Sequence, residues 1–158
     1  MKSAMSIRMK VGFWCHLLAI LLIGTVGLVY LFRSQFMPYH AIAVGKTWAE
    51  VAPAFQILLL ALIRVVGGVS IATAVAMGIV LFIPFRQGMR WARWAIPAIG
   101  LVGALPSLYA TLSVALNTPA RPPWEGLVLI IVLLVAGFVL SLEPEKKTEH
   151  IVVERSGA

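Results

Sequence analysis

The sequence predicts an all-α protein, an integral membrane four-helix bundle with both termini cytoplasmic, and three observations carry that reading. Of 158 residues, 61% are hydrophobic and 12% charged, with a mean hydropathy of +0.97. Soluble domains carry about 25% charged residues, so this chain has too little polar surface to coat a water-soluble globule. The apolar residues gather in four blocks, at about residues 11–32, 54–85, 94–116 and 126–142. Each is long enough to cross a hydrocarbon core, which takes about 20 residues with a range of roughly 17 to 25. Lys and Arg then divide around the blocks. With four spans, the N-terminus (Lys2, Arg8, Lys10), the link between spans two and three (Arg86, Arg90, Arg93) and the tail (Lys146, Lys147, Arg155) share one side and hold nine of the thirteen basic residues. Arg33, Lys46 and Arg121 lie opposite. Basic residues favour the cytoplasmic side, which places residues 1–142 as one membrane domain and 143–158 as a cytoplasmic tail.

Span one is expected to be retained. Its apolar stretch exceeds the 7 to 15 residues of a signal-peptide core, and no small-x-small cleavage pattern follows it. The longest loop, residues 32–53, contains Lys46-Thr47-Trp48-Ala49-Glu50, which fits a capping box with Thr47 as N-cap and Glu50 at the third helical position. Span two is too long for a membrane. From residue 54 to 85 it would run about 48 Å against a core of about 30 Å, and Arg64 sits inside it. Either Arg64 snorkels at the outer interface and the leucines before it stand in water, or Arg64 lies in the core and needs a partner. Something must cover this region in both cases. Gly67, Ser70, Ala74 and Gly78 give the lower part of the same helix a small-residue face for close helix packing. In span three, Pro97 falls near the expected start and Pro106 is the expected kink. Span four is short and closes the bundle. Trp14, Tyr30, Trp48, Trp91, Trp94 and Trp124 fall near span ends, where aromatic rings favour the headgroup zone.

Polar groups within the spans gather in the outer half. Arg64 and Gln56 on helix two, Ser107, Tyr109 and Thr111 on helix three, and His40 in the loop above form a candidate ligand-binding pocket facing outward, suited to a quinone, a lipid or another hydrophobic ligand. Met37 and His40 make an M-x-x-H pair whose thioether and imidazole would suit copper, but two ligands fall short of a site and no metal is expected.

Other classes are excluded by what the sequence lacks. All six acids are Glu, so paired-carboxylate chemistry has little to draw on. A single cysteine, Cys15, rules out an internal disulfide or a Cys-rich metal site. His16, His40 and His150 belong to separate regions. No G-x-S-x-G, phosphate-binding glycine loop or H-E-x-x-H is present, and no catalytic activity or resident cofactor is expected. The net charge of +7 is spread around apolar blocks rather than concentrated for nucleic acid. In the tail only Ile151, Val152 and Val153 offer an apolar motif.

Residues 60–95 resemble the DoxX-like group of small four-helix bacterial membrane proteins. The residues that carry it are Arg64-Val65-Val66-Gly67-Gly68, a small-residue helix, and Pro84-Phe85-Arg86-Gln87-Gly88-Met89-Arg90-Trp91-Ala92-Arg93. The resemblance covers about a quarter of the chain and implies a multi-pass protein of the bacterial inner (plasma) membrane, of a kind found as accessory subunits of quinone-linked oxidoreductases. The expected function is that of a non-catalytic accessory or assembly subunit, with membrane lipid and other membrane subunits, or copies of itself, as partners. A ligand-binding membrane protein and a small transporter are the competing readings.

Overall fold

The computed structural model describes residues 6–142. Lys2 and the tail, with the basic and apolar residues read there, lie outside them. The described chain is all-helical, and four of its helices are long and apolar enough to span a membrane. They are α1 (Ile7–Leu31), α3 (Pro53–Val80) extended by a π-helical turn (Leu81–Phe85), α4 (Arg90–Asn117) and α5 (Trp124–Ser141); α2 (Pro38–Val44) and a 3₁₀ turn (Trp48–Glu50) lie in the long loop.

Three of the four begin two to four residues before the apolar blocks do, because helices continue through charged ends that an apolar count omits. The Ser6 hydroxyl accepts a bond from the Met9 backbone N–H and starts α1, satisfying a donor that the first turn leaves orphaned. Pro53 opens α3 at a position where its missing N–H costs nothing. Pro84 lies inside the π turn that ends this span. A proline removes a ladder bond and crowds the carbonyl four residues back, and the wider turn accommodates it. Because α4 starts at Arg90, Pro97 is an interior residue and is buried, not the harmless first-turn proline expected. The helix runs unbroken through Pro106 to Asn117.

The bundle has two unlike ends. At the near end, which holds Ile7 and Ser141, backbones meet through glycine. A Cβ on Gly12 would come within 2.9 Å of the Gly137 carbonyl oxygen, and one on Gly137 within 2.7 Å of the His16 ring. The core there joins Met77, Leu81 and Phe85 of the second span to Ile96 of α4 and Leu134 of α5. A second crossing joins α1 to α3 further along: a Cβ on Gly67 would lie 2.5 Å from the Leu31 nitrogen and 2.8 Å from the Gly27 oxygen.

This crossing engages part of the small-residue face read on α3. Gly67 and Ala74 are buried against α1, with Ala74 Cβ 3.6 Å from the position of a Gly24 Cβ. Gly78 faces open space, where an added Cβ would have nothing within 4 Å. Two helices that touch closely at one point separate away from it, so regular spacing extends past the contact. Ser70 is half-buried and bonds the Val66 carbonyl of its own helix at 2.8 Å.

At the far end α4 loses its cover. Ala104 is its last buried residue, and none from 105 to 117 is buried. Val102, Leu105, Tyr109 and Leu116 are all exposed there.

Candidate functional site

The long loop folds into a small pad at the far end, beside the first turns of α3. Phe36, Val51 and Ile63 form its core, with Tyr30, Ala41, Trp48 and Leu59 packed around them. Phe36 meets the edge of Trp48 with ring centroids 5.0 Å apart. Gln56 fastens the pad to α3: its side-chain amide donates to the Trp48 carbonyl at 2.7 Å and the Val51 carbonyl at 3.1 Å. The Tyr30 and Tyr39 hydroxyls lie 2.6 Å apart and join the end of α1 to α2.

The capping box read from the sequence is present. The Thr47 backbone N–H and hydroxyl both donate to the Glu50 carboxylate, at 2.7 and 2.8 Å. It opens one 3₁₀ turn rather than the long helix, since Val51 is extended and α3 starts afresh at Pro53. These two bonds hold the Glu50 carboxyl below its usual pKa. Burial lowers the pKa of His40. Burial, and then the Tyr30 hydroxyl, raise that of Tyr39.

The six candidate ligand residues are drawn into different tasks. Gln56 is spent on the pad. Ser107 bonds the Gly103 carbonyl at 2.8 Å and Thr111 the Ser107 carbonyl at 2.7 Å, both along their own helix. His40 Nδ1 accepts the Met37 backbone N–H at 3.3 Å, which closes the first turn of α2. The Met37–His40 pair thus serves as a local cap, and no group of three or more His, Cys, Asp or Glu among the described residues is placed to hold a metal ion. Arg64 and Tyr109 are both exposed, and neither has a hydrogen-bond or ionic partner among the described residues.

Arg64 lies 21 residues before Phe85, about 32 Å along a helix at 1.5 Å per residue. That matches the thickness of a hydrocarbon core, about 30 Å. If the near end of α3 lies at one interface, this length puts Arg64 at the other, beside the pad residue Ile63. In that placement the turns from Pro53 to Ile63 would stand beyond the lipid tails. The pad covers Leu59 and Ile63 of them, while Phe55, Ile57 and Leu58 stay 62, 73 and 53% exposed.

His16 is a buried polar residue whose packing the sequence does not single out. It is completely buried between the Gly137 backbone and the edge of Phe85, and both of its ring nitrogens lack a hydrogen-bond partner. Its legible signal is the pairing of Gly12 and His16, four apart, with Gly137 and Ser141, also four apart. Two open grooves flank the bundle. One, of about 670 Å³, lies at the far end between Leu112 and Leu116 of α4 and Arg121 to Glu125 before and within α5. The other, of about 330 Å³, lies at the near end between α1 and the π turn.

Comparison with protein-family models, curated proteins and solved structures finds no significant match for this chain. The class that the fold defines is a multi-pass, four-span helical membrane protein.

Proposed function

We propose that the protein is a non-catalytic accessory or assembly subunit of a larger complex in a bacterial inner membrane, with both termini in the cytoplasm. One observation carries this reading: Phe55, Ile57 and Leu58 are exposed on turns of α3 that stand beyond Arg64. Lipid tails cover an exposed leucine inside the core without cost. Beyond the core the same side chain meets water, and covering each one is worth about 1.5 to 3 kcal/mol. A partner subunit seated on this flank supplies that cover. The resemblance of residues 60–95 to the DoxX-like group favours a quinone-linked redox complex as the setting, and the basic residues at the near end favour the cytoplasmic side for both termini.

Purification from native membranes in mild detergent, followed by mass determination, tests the proposal. A second chain is expected at fixed stoichiometry, and Ile57→Ser with Leu58→Ser is expected to release it while the monomer stays folded. A lone monomer would contradict the reading.

The unpartnered Arg64 guanidinium supports a second reading, a ligand held beside Arg64 and Tyr109. Extraction of lipids and quinones from the same preparation separates the two. A bound quinone whose occupancy falls in Arg64→Ala favours the ligand; unchanged occupancy removes Arg64 from any site.

A further inference from the structure

The groove at the near end has a composition that the bundle's packing does not explain. Phe13, Trp14 and Leu17 of α1 line it with Phe82 of the π turn, together with the two cations Lys10 and Arg86. Phe13 and Phe82 meet edge to face with centroids 5.6 Å apart, and Phe13 also touches Trp14 at 5.8 Å. Trp14 and Phe82 remain 65 and 48% exposed.

Two cations lining one groove with aromatic and aliphatic side chains match one chemistry: a phosphate monoanion attached to hydrocarbon chains. Arg pairs phosphate through its planar fork and Lys as a point charge. An exposed indole one turn below them lies at the depth where tryptophan favours the ester region. The volume, about 330 Å³, falls within the range of small-molecule sites, about 300 to 1,000 Å³. Basic pockets between spans on the cytoplasmic face are a recurrent way to hold acidic headgroups.

We propose that this groove binds an anionic glycerophospholipid, with Lys10 and Arg86 on the phosphate, Trp14 at the ester level and an acyl chain along Phe13, Leu17 and Phe82. The site depends on the chain spanning a membrane, and is independent of any subunit at the far end.

The test uses the full chain in detergent with equimolar phosphatidylglycerol and phosphatidylcholine, read by native mass spectrometry. The wild type is expected to retain phosphatidylglycerol preferentially. At about 1 kcal/mol per basic residue near the surface, Lys10→Ala and Arg86→Ala should each lower that retention about five-fold, and the pair about 25-fold. Arg8→Ala with Arg90→Ala removes the same charge at the same end outside the groove, and should lower it less than about two-fold. Equal losses in the two pairs would overturn the site in favour of a diffuse surface potential. Displacement by millimolar inorganic phosphate would overturn the lipid in favour of a free anion. A second measurement avoids the basic variants: in vesicles, phosphatidylglycerol with brominated chains should quench tryptophan fluorescence more than brominated phosphatidylcholine, and Trp14→Phe should abolish the difference. Equal quenching by the two lipids would also overturn it.

Discussion

Toward the near end of the bundle, six large side chains, His16 among them, lose essentially all exposure, and α1 and α5 approach until only glycine fits between them. Toward the far end α4 has no buried residue for its last turns, and the first turns of α3 carry Phe55 and Ile57 outward. The interior of the near end has found its partners within the chain. The far end has found one, the pad, which covers one flank of α3 and leaves another open. Self-sufficient packing and unfinished packing thus coexist in one span, about 42 Å apart from Phe85 to Ile57 at 1.5 Å per residue, with Arg64 between them.

The contrast is tested most severely by adding a methyl at each end. Gly67→Ala should cost most, about 3 kcal/mol or more, because the new Cβ meets the backbone of Leu31 and Gly27, which cannot rotate away. Gly137→Ala should cost less, about 1 to 3 kcal/mol, since its obstacle is a side chain, and His16→Ala in the same molecule should recover part of the loss. Gly78→Ala and Gly103→Ala place their methyls in open space and should be neutral or stabilising by up to about 1 kcal/mol. Thermal unfolding in one detergent ranks all four. A similar loss at Gly103 would show that the α3–α4 seam is closed.

Releasing the pad should leave the bundle intact. Gln56→Ala removes the donor to the Val51 carbonyl and one of the two donors to that of Trp48, which keeps the Val51 N–H, and should locally cost about 1 to 3 kcal/mol, seen as faster hydrogen exchange over residues 36–52 with no change in the near end.

The smallest effect is a pH dependence confined to the pad. The pKa of His40 is lowered from 6.5 by its burial, so the folded pad binds its proton less readily than the unfolded loop does. Its contribution is complete above pH 6.5 and is lost as pH falls toward the lowered value. Glu50, lowered from 4.5, contributes above that pH and is lost below it. Both signs agree, so the pad should loosen on acidification in two stages. Tryptophan emission from a variant retaining only Trp48 would follow both, and His40→Gln should remove the upper stage alone.

Much of the architecture is legible in the sequence because the membrane leaves few choices. Spans must be apolar and about 20 residues long, so composition locates all four helices and marks span two as overlong. The pad is less legible. Its capping box is visible in Thr47 and Glu50, but its core draws Phe36, Val51 and Ile63 from three separate segments, which no local period links. The candidate pocket meets the same limit in reverse. Ser107 and Thr111 have the polarity of ligand residues, but a hydroxyl on a helix is readily satisfied by the carbonyl four residues back, and sequence does not reveal that choice. Glycine spacing locates the α3 crossing at Gly67 and Ala74 and overshoots it at Gly78, because spacing fixes a face and says nothing of how far along it the neighbour stays close.

If the far flank of α3 is a docking surface for another membrane subunit, a photo-crosslinking side chain placed there in living cells will capture that subunit. The probe belongs at Ile57 and, separately, at Val132 on the exposed face of α5. Position 57 should yield a discrete adduct, identified by mass as the same second membrane protein that co-purifies, and position 132 should yield only lipid. Lipid adducts alone from both positions would show that no subunit docks on this flank.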